Sequence, residues 1–71
     1  MITYTNITPT DYCINFKDQT VAYLKAIGTS FYIQNTFEGQ PTAFDERLKD
    51  LYDKTFPNFG VVKGEITKAF R

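Results

Sequence analysis

Histidine and tryptophan are absent from the 71 residues, and cysteine and methionine occur once each. Without histidine the commonest general base is missing, and no Cys/His metal site of the ordinary kind can be assembled. A single cysteine excludes an internal disulfide and fits a reducing compartment. No apolar run approaches the ~20 residues that span a bilayer. The first residues, MITYTNIT, have neither the charged nor the apolar region of a secretory leader, so the triplet Asn6-Ile7-Thr8 reads as a chance match to a glycosylation acceptor. A cytoplasmic setting with no membrane contact is expected.

Charge of one sign is also lacking. Eight basic and eight acidic residues balance to zero, which argues against binding to nucleic acid or an anionic membrane by counterion release. The balance is slightly uneven, because residues 60–71 hold three bases and one acid while the rest is mildly acidic. A domain this short buries only about 60% of its unfolded surface. Five Tyr and seven Phe must supply the core, because Leu is scarce.

The longest organised stretch is Thr8–Gly28. Thr8 is placed to cap a helix, Pro9 to occupy its first position and Asp11 to complete a capping box. Lys25 suits the last turn and Gly28 the left-handed end. Helical spacing then sets Tyr12, Cys13, Phe16, Thr20, Tyr23, Leu24 and Ile27 on a broad core face. Ile14 and Val21 fall on the opposite side, flanked by Lys17 and Lys25. These four residues form an expected protein-binding stripe, weighed against ordinary coverage by another part of the chain. A rival reading breaks the stretch at Lys17-Asp18 and makes Tyr12–Phe16 a strand, because Tyr12, Ile14 and Phe16 alternate. The single helix is preferred because Thr-Pro-Thr-Asp is a poor entry to a strand.

Met1–Ile7 alternates and is rich in β-branched residues, so it reads as a first strand. Thr29–Phe37 reads as a second. After a turn at Glu38–Pro41, Thr42 starts a second helix that Pro57 ends. Its core side carries Phe44, Leu48, Leu51 and Tyr52. Glu46, Asp50 and Asp53 line another side and offer a secondary candidate surface. Val61–Arg71 reads weakly as a third strand, since Gly64 suits neither strand nor helix. The expected architecture is α+β, one domain over residues 1–71 in the order β-α-β-α-β. Two helices pack on one face of a two- or three-stranded sheet, with Phe16, Tyr23, Leu24, Leu48 and Leu51 buried.

No catalytic, cofactor or metal site is expected. Cys13 has no histidine partner and lies on the core face. Lys49 and Lys54 oppose cation binding by the nearby acids, and FGVVKGE lacks the Gly-Lys-Ser/Thr ending of a phosphate loop. No motif resembles a family closely enough to name one; the size and lack of chemistry suggest the small accessory proteins of phages and mobile elements. The expected function is that of a small cytosolic protein-binding module, an inhibitor or modulator of its partner, or a homodimer through the same stripe. The alternative is a single-stranded nucleic-acid-binding protein that stacks bases on Tyr4, Tyr32 and Phe70 beside the basic Lys68 and Arg71.

Overall fold

A computed structural model describes all 71 residues. Five antiparallel strands run in chain order across one sheet: β1 (Ile2–Thr8), β2 (Asp11–Phe16), β3 (Gln19–Ile27), β4 (Ser30–Gln34) and β5 (Thr55–Phe56). One helix, α1 (Phe59–Ala69), follows and packs on the sheet. The expected two helices on a two- or three-stranded sheet are therefore not the fold, and no parallel crossover exists. The strands expected at residues 1–7 and 29–37 have counterparts in β1 and β4.

The largest correction concerns Thr8–Gly28, which is a hairpin rather than a helix. Phe16 pairs with Gln19 across a two-residue turn. Lys17 and Asp18 both take positive φ, 51° and 64°, the pattern of the I′ turn that matches strand twist. The rival break at Lys17-Asp18 agrees with the strand before it, while a second strand follows it. The apparent helix cap at Thr8 is a turn as well. Thr8 Oγ1 accepts from the Thr10 N–H at 3.3 Å and donates to Asp11. This is the bond a cap would make, used to close β1 onto β2. Gly28, at φ 60°, opens the tight turn to β4 instead of ending a helix.

A bulge explains the helical look of β3. Ile14 pairs with Ala22 and Asn15 with Thr20, so Val21 is an extra residue. Val21, Ala22, Tyr23 and Leu24 are then all buried, and strict alternation is lost. The Val21 carbonyl accepts from Tyr52 Oη at 2.7 Å, and the same hydroxyl accepts from the Asp45 N–H at 2.8 Å. The bulge is thereby tied to the loop that crosses between β4 and β5.

The second expected helix is that loop. It contains one 3₁₀ turn, Glu46–Leu48, capped by Asp45, whose side chain accepts from the Arg47 N–H. Leu48 is buried and Leu51 half-buried. The third expected strand, in turn, is α1. Asn58 caps it by accepting from the Val61 N–H at 2.9 Å. Phe59, Val62, Ile66 and Phe70 then face the sheet at helical spacing. The core comprises Ile14, Val21, Ala22, Leu24, Ile33, Leu48, Val62 and Ile66. Tyr23 is buried on the opposite side of the sheet, where its hydroxyl donates to the Pro41 carbonyl and its ring meets Phe37. Phe16 is half-buried against Phe70.

Two variants test this fold, the first by the sign of its effect. Lys17→Asn with Asp18→Gly should raise unfolding free energy by about 1 kcal/mol, because these residues take positive φ more readily. In a helix the same pair would lower it. Gly64→Ala should add up to ~1 kcal/mol, since a Cβ there meets nothing within 4 Å. Urea titration reads both.

Candidate functional site

The feature that stands out is the outer edge of β1. Ala26 N–H donates to the Thr10 carbonyl at 2.8 Å. Bonded pairs alternate along an antiparallel ladder, so Tyr12 and Ile14 also bond toward β3. Cys13 and Asn15 then bond toward β1, where they face Thr5 and Thr3. The backbone N–H and C=O groups of Ile2, Tyr4 and Asn6 are left pointing out of the sheet. No residue of β1 is buried.

Sheet edges are usually blunted by charge, proline, bulges or shortness. The far edge of this sheet follows that rule, since β5 is two residues long and lies between Lys54 and Pro57. The β1 edge does not. Met1–Thr10 carries no charged residue. A bulge at Ile7 and the turn at Pro9 stop only one end, leaving Ile2–Asn6 regular and open.

The open edge is held firmly from beneath. The Phe59 ring packs against Tyr4, Tyr12 and Phe31, each with centroids 5.4 Å away. Lys63 Nζ lies 5.4 Å from the Phe59 centroid and 5.9 Å from that of Tyr4. The Tyr4 hydroxyl is buried with no hydrogen-bond partner, and burial pushes its pKa up. Burial likewise raises Tyr23, with a smaller contribution from Cys13, and Tyr52.

At the start of β1 a cleft of about 430 Å³ is lined by Met1, Ile2, Phe16, Thr67, Phe70 and Arg71. The Arg47 guanidinium lies 4.9 Å from the Phe16 centroid and 4.4 Å from that of Phe70. Two bonds of 3.0 Å to the Asp45 carboxylate hold it there and keep that carboxylate below its usual range. On the uncovered side, the outer two strands and the start of β3 are joined by polar side chains. Asn15 Nδ2 donates to Thr5 Oγ1 at 3.2 Å, and Thr20 Oγ1 donates to Asn15 Oδ1 at 3.0 Å.

The residues singled out from sequence are dispersed. Ile14 and Val21 are core, at 0% and 4% exposure, so no exposed stripe runs between them. The hairpin brings both to the covered face, where a helix would have turned them outward. Lys17 sits at the hairpin tip, with Nζ 5.3 Å from the Phe16 centroid. Lys25 lies near the other end of β3, between Asp11 and Tyr32 in the register. Glu46 pairs with Lys49 at 3.4 Å, and Asp50 lines a shallow cleft with Arg47, Glu65 and Lys68. Asp53 takes positive φ, and its N–H bonds to the Ile33 carbonyl at 2.7 Å. Of the stacking candidates, Tyr4 and Phe70 lie on the helix-covered side and Tyr32 on the other. Lys68, in the last turn of α1, and Arg71, just beyond it, each line one of the two clefts. Cys13 is half-buried and free.

The β1 edge was missed as a surface although its strand was legible. Its signal is the uncharged run Met1–Thr10, which the sequence reading uses for a strand and for the lack of a leader, not for an open edge. No helix is long and apolar enough to cross a membrane. No family model matches this chain, and no curated protein or solved structure matches it.

The three raised tyrosines set the alkaline behaviour. The unfolded chain gives up these protons near the usual value of about 10, before the folded chain does. Their contribution to stability should therefore be fully present below about pH 10 and be lost as pH rises through the folded values. Urea titrations from about pH 8 to pH 11 should show that fall, and Tyr4→Phe should make it shallower. At neutral pH Tyr4→Phe should cost nothing, because the hydroxyl it removes is unpaired.

Proposed function

We propose that this chain is a protein-binding module that acts by occupancy, and that its binding surface is the open edge of β1. The observation that carries this reading is an uncharged edge strand beside a sheet whose other edge is guarded. An extended segment of a partner would add a sixth strand there. The N–H and C=O groups of Ile2, Tyr4 and Asn6 would supply the bonds, and alternate side chains on each face would supply selectivity. The edge is organised before binding, through its ladder to β2 and the Tyr4–Phe59 contact, so little ordering cost falls on this side. A partner whose strand is held in this way is inhibited or redirected. The single free cysteine fits a cytoplasmic setting.

The test compares two variants by affinity capture from host extract and mass spectrometry. Asn6→Pro removes an outward N–H at a position where an edge strand tolerates proline. Lys25→Glu alters the uncovered face instead. Partners should be retained by the parent and by Lys25→Glu, and lost by Asn6→Pro. The opposite pattern would move the site to the face that carries Tyr32. Tight, salt-sensitive binding of single-stranded oligonucleotides would favour the nucleic-acid alternative.

A further inference from the structure

We infer that the first occupant of the β1 edge is a second copy of this chain, paired antiparallel about a two-fold axis through Tyr4. The inference rests on reading β1 as the binding edge and adds the partner and the register. Ile2–Asn6 is the regular part of the edge, because the bulge at Ile7 interrupts the end of the strand. Maximum overlap of that segment with itself centres on Tyr4. Tyr4 then faces its own counterpart, Thr3 faces Thr5 of the second copy, and Ile2 faces Asn6. Bonds run from the same Ile2, Tyr4 and Asn6 backbone groups that are free in the single chain. An isologous interface of this kind needs a self-complementary patch, and this one qualifies. The strand itself carries no charged side chain to repel its image. Thr–Thr and aromatic pairs are both favourable across an antiparallel ladder. A net charge of zero adds no repulsion between the two molecules. Pairing would extend one sheet to ten strands and leave only the two guarded β5 edges exposed.

The register makes a charge-swap test specific. Thr3 and Thr5 have side chains on the uncovered face, and both are exposed. Thr3→Glu with Thr5→Glu sets Glu opposite Glu twice in the dimer. Thr3→Glu with Thr5→Lys sets Glu opposite Lys twice, and disturbs the Thr5–Asn15 bond equally. Sedimentation equilibrium should find a dimer for the parent, roughly tenfold or weaker association for the Glu/Glu variant, and recovery for Glu/Lys. Should the Glu/Glu chain melt early, amide exchange in the parent decides. Ile2, Tyr4 and Asn6 should become protected as concentration rises, while Thr3 and Thr5 stay protected throughout. A parent that remains monomeric at high concentration overturns the inference, and the Asn6→Pro capture still judges the edge separately. A dimer that ignores the Glu/Glu change, or leaves those three amides exchanging freely, also overturns it.

Discussion

The ring of Phe59 is the contact on which the covered side of the sheet depends. It touches Tyr4 of β1, Tyr12 of β2 and Phe31 of β4, so one side chain joins three strands to the start of the helix. Each such aromatic pair adds about 0.5–1.5 kcal/mol beyond the area it buries. Its position is set locally. The Asn58 cap fixes where the first helical turn begins, and Phe59 is the first residue of that turn. From there Val62, Ile66 and Phe70 continue down the sheet. With few leucines, a single short helix covers the sheet with large rings at its ends, Phe59 and Phe70, and Val62 and Ile66 between them.

The second fastening is Tyr52. Its hydroxyl satisfies the bulged carbonyl of Val21 and accepts from the Asp45 N–H, while its ring stacks on Phe44. The long connection from β4 to β5 is therefore bonded to the middle of β3. On the other side of the sheet, Tyr23 holds the start of the same connection through Pro41 and Phe37. The connection straddles the sheet, secured on one side by the buried Tyr23 and on the other by the half-buried Tyr52.

Part of this was legible in the sequence. The alternation in Ile2–Thr8 and Ser30–Gln34 gave two strands, and Leu24, Leu48 and Tyr23 were named correctly as buried. The middle was misread because its turns lack the usual residues. Pro9-Thr10 and Lys17-Asp18 contain no glycine, and Thr8-Pro9-Thr10-Asp11 offers the same hydrogen bonds to a turn as to a helix cap. The Val21 bulge then removed the period of two at the point where it would have ruled out a helix. That error turned the faces around, so Ile14 and Val21 became a surface and the real open surface went unweighed. At the other end, Asn58 is a good cap, and the glycine in the middle of the helix it starts hides that helix from the pattern.

The strand order has a kinetic consequence. Each strand pairs with its neighbour in the chain, so each early step of sheet growth closes only a short loop, except the last one to β5. Short closures are fast. The contact between Tyr4 and Phe59, by contrast, joins nearly the two extremes of the chain, and it can form only when α1 docks. Docking of α1 is therefore the closure of greatest sequence separation, and the order in which the sheet can assemble cheaply follows the order of the chain. The last segment of the chain carries the entropic cost of joining its two ends.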